Sequence, residues 1–262
     1  MSEAAGHPDR LDHLDPAAGR LGAAFARPQV MAGACVILLA GLGWLYLGIV
    51  LGSASAYDSL CRPLSAAWSL SGLALVALMW GAMVFATMLP SAGPMILTYA
   101  EIADTAARKG ERIVSPLVLA AGYGAVWLGF AVAAALAQLA AGGLDLTSAL
   151  FSGAIFIGAG LYQFTSLKHA CLTQCQQPFP FFFAHWQTTP RGVFKLGLQQ
   201  GLYCLGCCWA MMLVMFAVGT MNVVWMAALG IVMTVEKMLS GPRFSQAVGV
   251  ALIAIGVLVV SI

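Results

Sequence analysis

The chain has 262 residues, of which 61% are hydrophobic and 8% charged, with a net charge of +2 and a mean hydropathy of +0.91. Soluble domains carry roughly 25% charged residues, so a water-soluble fold of this size is excluded and lipid must solvate most of the surface. No basic stripe with interleaved aromatics is present, which excludes nucleic acid as a partner.

The stretch Met1–Gln29 holds four acidic residues, three arginines and two histidines. It lacks the order of charge, apolar core and cleavage site that marks a signal peptide. It is expected to be a polar cytoplasmic tail (1–29), with His7 and His13 as solvated tail residues. Residues 30–262 then form a transmembrane helical domain. A helix that crosses a bilayer needs about 20 mostly apolar residues. The expected spans are Val30–Gly52, Trp68–Leu89, Pro116–Ala141 (closed by Gly142-Gly143), Leu146–Thr165, Val193–Gly219, a short Val223–Val235 and Ser245–Ile262. Pro90 and Pro94 should break or kink the second. A polar loop, Ser53–Ala67, carries Asp58, Cys61 and Arg62, and a polar and aromatic loop, Ser166–Pro190, follows the fourth span. A tight Thr220-Met221-Asn222 turn joins the fifth to the sixth. The fold class expected is all-α, a polytopic transmembrane helix bundle of about seven spans.

With the N-terminus inside, eleven of the twelve Lys and Arg residues fall on the inner side and only Arg62 outside, as the positive-inside rule requires. The expected location is a bacterial inner (cytoplasmic) membrane, N-terminus inside and Ile262 outside. The sequence has no fixed-period repeat, no transporter-type internal symmetry and no GxxxxGK phosphate loop. No catalytic triad or carboxylate pair is present, so no enzyme activity is expected.

Five of the seven cysteines lie between positions 171 and 208. Cys171 and Cys175 are four apart, which puts both sulfurs on one face if the segment is helical. His169 precedes them and His185 follows. Two small packed cysteines are the bland alternative. In the fifth span, Cys204, Cys208, Met211 and Met215 fall at i, i+4, i+7 and i+11, a continuous stripe of sulfur on one helical face, with Cys207 slightly around the helix. Such donors suit Cu(I) first and zinc second, whereas calcium and magnesium want oxygen. A Met-rich packing seam is the alternative. The candidate metal ligands are therefore Cys204, Cys207, Cys208, Cys171, Cys175, Met211, Met215 and His169. A thiolate inside a span needs a positive partner, and Arg191 and Lys195 lie too far toward the inner end to supply one. The loop carrying Cys171 and Cys175 is expected to fold back on the fifth span, with Trp186 as an interfacial anchor. Met79, Met83 and Met88 on the second span read as core packing beside a proline kink, with an ion path along a broken helix as the alternative, and Glu236-Lys237 as a snorkelling anchor at an interface.

The runs GLYCLGCCWAMM, GTMN, WMA and Glu236-Lys237, with MWGAMVFATMLPSAGP and YQFTSLKHACLTQC upstream, resemble the predicted metal-binding integral membrane protein family, domain of unknown function 2182. The resemblance covers roughly Leu78 to Lys237 and implies a helical membrane protein that binds a metal. The family pattern often has a histidine where this chain has Gln200. Three functions are open: copper transport or delivery to another membrane protein by ligand exchange, a thiol-redox or cofactor assembly factor, and a non-catalytic subunit of a larger membrane complex.

Overall fold

The structure is a computed structural model that describes residues 28–52, 70–140, 148–218, 223–239 and 241–261. Most of the polar tail, the Ser53–Ala67 loop with Cys61, the Gly142-Gly143 closure and the Thr220-Met221-Asn222 turn lie outside the described residues. The helices are α1 (Pro28–Gly52), α2 (Leu70–Arg108), α3 (Pro116–Ala140), α4 (Ala149–Tyr162), α5 (Ser166–Gln176), α6 (Pro178–Ala184), α7 (Pro190–Val218), α8 (Val223–Met238) and α9 (Arg243–Ser261). The described residues contain no strand.

Five of these helices are long and apolar enough to cross a membrane: α1, α2, α3, α7 and α9. A sixth crossing is possible if α4 and α5, bent by 66° at Gln163–Thr165, count as one broken span. Among the described residues, the expected bundle of about seven spans thus corresponds to five or six such helices, with α8 as a shorter element. Helix α8, read as the sixth span, has 16 residues, about 24 Å of rise against a hydrocarbon core of about 30 Å.

Two local expectations are revised for identifiable reasons: the second span is not broken at its prolines, and the polar stretch after the fourth is not a loop. Helix α2 runs unbroken through Pro90 and Pro94 for 39 residues. A proline at position 90 removes the bond that the Ala86 carbonyl would accept, and Trp44 Nε1 of α1 donates to that carbonyl at 3.0 Å instead. A helix inside a bilayer tolerates proline when a neighbour satisfies the freed group. The stretch read as the loop Ser166–Pro190 folds as two short helices. Thr165 caps α5 by accepting from Lys168 N, and Pro178 starts α6, where its missing N–H costs nothing.

Helix α7 lies at the centre, packed on α3, α4 and α5. Its contact with α3 is so close that a Cβ added to Gly122 would stand 3.0 Å from Leu198 N and 3.1 Å from Gly197 Cα. Between membrane helices, where lipid is as apolar as protein, such close small-residue packing is a main source of association. The core that results is rich in sulfur and aromatics: Met79, Trp80, Met83, Met88, Trp127, Met211 and Met215 are all buried.

Candidate metal centre

The cluster is built by the helical repeat of α7. Cys204 and Cys208 lie one turn apart, and Cys207 completes the face. All three are free thiols, each at most 2% exposed, and their sulfurs lie within 4.8 Å of one another. Cys207 Sγ is 3.3 Å from Cys208 Sγ and donates to the Cys204 carbonyl at 3.2 Å. Met211 and Met215 continue the same buried face, about 4.5 and 10.5 Å along the axis from Cys208 at 1.5 Å per residue.

The second cysteine pair joins this face because α5 folds back onto α7. Cys175 Sγ comes to 4.0 Å from Cys207 Sγ. Cys171 lies against Gly206, where an added Cβ would stand 2.7 Å from its sulfur, so only glycine lets α5 approach this far. Cys171 and Cys175 are half-buried, and the α7 thiols fully buried. The five thiols thus run from a partly accessible edge to the core. His169 does not join the convergent ligand atoms. His185 is engaged elsewhere, with Nδ1 3.0 Å from the Phe181 carbonyl and its ring stacked on Phe181. Trp186, expected to anchor at the interface, packs on Tyr99.

Sequence reasoning missed the polar side chains around the sulfurs. Glu236 and Lys237 do not snorkel outward. Adjacent helical residues point about 100° apart, so each enters a different part of the core. Lys237 Nζ donates to Cys204 Sγ at 3.0 Å and to Ser91 Oγ at 2.7 Å. Glu236, 2% exposed, meets the fully buried Lys168 of α5, with Nζ 2.8 Å from Oε1 and 2.9 Å from Oε2. Lys168 also donates to Gln163 Oε1, which accepts from Ser245 Oγ at 3.2 Å. Gln176 Nε2 donates to the Glu236 and Leu239 carbonyls, closing the end of α8. Tyr123 Oη lies 3.0 Å from Cys204 Sγ and 3.1 Å from the Met88 carbonyl. The signal that could have found Lys237 was the demand itself: a buried thiolate needs a cation, and Lys237 ends a helix too short to span.

Beside Cys204 is a cavity of about 20 Å³, lined among others by Met95, Cys175, Gln200, Cys204 and Lys237. That is room for roughly one water-sized occupant. Gln200 is 2% exposed and its Nε2 has no hydrogen-bond partner among the described residues. The position where the resembled pattern often has histidine is therefore one turn from Cys204 and faces the same cavity.

Fold and site together define a polytopic helical membrane protein with a buried thiol cluster. Residues 77–259 match the family model described as PpoB2, copper chaperone, and the chain belongs to that family. The resemblance drawn from the cysteine motifs thus stands at the level of a copper-related family. No curated protein and no solved structure matches the chain.

Proposed function

We propose that the chain binds Cu(I) as cargo at Cys204, Cys207 and Cys208 and delivers it to another membrane protein, with Cys175 and Cys171 as ligand-exchange steps toward the accessible edge. The observation that carries this reading is the convergence of three buried free thiols within 4.8 Å of one another, with Cys175 4.0 Å from Cys207. Thiolate donors with thioethers above them suit a soft monovalent ion that accepts low coordination numbers. Glu236, a carboxylate next to Lys237 in the chain, is engaged by Lys168. Structural zinc asks for four fixed ligands in a tetrahedron, whereas three mutually close thiols at one helix face, with a fourth alongside, suit transfer between two- and three-sulfur states. The family's description as copper chaperones supports delivery rather than storage.

The experiment is copper analysis of the protein purified under reducing conditions after loading with Cu(I). The wild type is expected to retain copper, and Cys204→Ser combined with Cys208→Ser to lose it, since serine keeps the size but removes the soft donor. Full occupancy in the double variant, or none in the wild type, would replace this reading with that of a packing cluster in a structural subunit.

A further inference from the structure

Among the described residues, Lys237 is the one residue at the thiol cluster whose charge no carboxylate cancels. Among the described residues, the ion pairs are Arg108–Asp104 and Lys168–Glu236. The second is neutral as a pair, so Lys237 alone leaves a formal positive charge beside the sulfurs. Its ammonium is held from two sides, by Ser91 Oγ at 2.7 Å and Cys204 Sγ at 3.0 Å, and it lines the same small cavity as Cys204, Cys175 and Met95. An ion ligated by Cys204 therefore sits within a few ångströms of a fixed cation, in a region with little water to screen it.

We infer that Lys237 sets the charge of the metal that this site accepts, favouring a monovalent soft ion over a divalent one bound by the same sulfurs. The inference rests on the proposed copper reading and adds a selectivity element to it. The physical basis is that Coulomb repulsion scales with the product of the charges. At one position, a divalent ion is repelled twice as strongly as a monovalent ion. The ammonium also donates a hydrogen bond to a ligand sulfur, and such donors around a metal site tune what the ligands hold. Softness alone separates Cu(I) from calcium or magnesium, but zinc also binds thiolates well. A fixed positive charge supplies a discrimination that the thiols lack. Lys237 touches a ligand and not the metal, so it is a positioning and selectivity residue.

The test compares association constants of Cu(I) and Zn(II), each measured by competition with a chelator on the full chain in detergent under reducing, oxygen-free conditions. The variants are Lys237→Leu, Lys237→Gln and Lys237→Arg; leucine removes the charge without adding a donor. The ratio of the Zn(II) to the Cu(I) constant should rise by about tenfold or more in the leucine and glutamine variants and stay within about threefold of wild type in the arginine variant, which keeps the charge. A purely structural loss would weaken both metals together and leave the ratio unmoved, so an unchanged or falling ratio overturns the inference while the copper reading stands. If leucine prevents folding, the glutamine variant decides. A wild type that binds neither metal overturns the copper reading and this inference with it.

Discussion

The pair formed by Lys168 and Glu236 shows how a single side chain can be costly to change in this protein. Both groups are buried, with Nζ to carboxylate distances of 2.8 and 2.9 Å. Removing one partner leaves a charge with no compensation, which costs about 3–5 kcal/mol, whereas replacing both with apolar residues is often neutral. Glu236→Leu should therefore lower the melting temperature of the purified protein sharply, and Lys168→Met added to it should recover most of the loss. A Glu236→Leu variant that melts like the wild type would show that the pair bears no weight. The cysteines and their register were readable in the sequence because a helix repeats every 3.6 residues and the sulfurs follow that repeat. Lys168, Glu236 and Lys237 were not. Long-range partners leave no local pattern: Lys168 and Glu236 are 68 residues apart, and Lys237 and Cys204 are 33 apart.

At the scale of elements, the seam between α5 and α7 decides whether there is one thiol site or two. Gly206 permits the contact, since a Cβ there would stand 2.7 Å from Cys171 Sγ and 3.4 Å from Cys171 Cβ. A cysteine side chain is too short to swing clear, so the helix itself must shift. Overpacking of this kind typically costs about 1–3 kcal/mol. Gly206→Val should push α5 away while leaving Cys204, Cys207 and Cys208 together on their own helix. Mild oxidation followed by mass spectrometry should give a Cys175–Cys207 cross-link in the wild type and much less in the variant; equal yields would refute the seam. The long helices were visible as apolar runs of spanning length. Helices α5 and α6 were not, because a search for about 20 apolar residues passes over a polar segment of 11 residues that tucks between its neighbours. Thr165 and Pro178 were the only sequence marks of their starts, and both also fit a loop.

For the molecule as a whole, the positive-inside rule predicts a cytoplasmic N-terminus. The span count governs the other end. If α4 with α5 crosses once and α8 does not cross, six crossings return the C-terminus to the cytoplasm, whereas seven would leave it outside. Labelling of single cysteines introduced at Ser2 and Ile262, with a reagent that does not cross the membrane, should protect both under the six-crossing arrangement. Reaction of the C-terminal cysteine alone would restore the seventh span. The uncertainty in the sequence reading came from α8, whose apolar stretch is real but whose inner end turns into the protein, carrying Glu236 and Lys237 into polar contacts rather than into water.

That inward turn has a bearing on how the protein can be dissected. A fragment ending at Val218 would keep all five thiols of the gathered site. It would lose the partner of Lys168, the carbonyls capped by Gln176 and the ammonium that faces Cys204. Buried Lys168 would then keep Gln163 but lose its carboxylate, and α5 would lose its hydrogen bonds to α8. Cysteine content is thus a poor measure of whether a shortened chain still holds the site, and the last turn of α8 marks the shortest reach at which the sulfurs keep their surroundings.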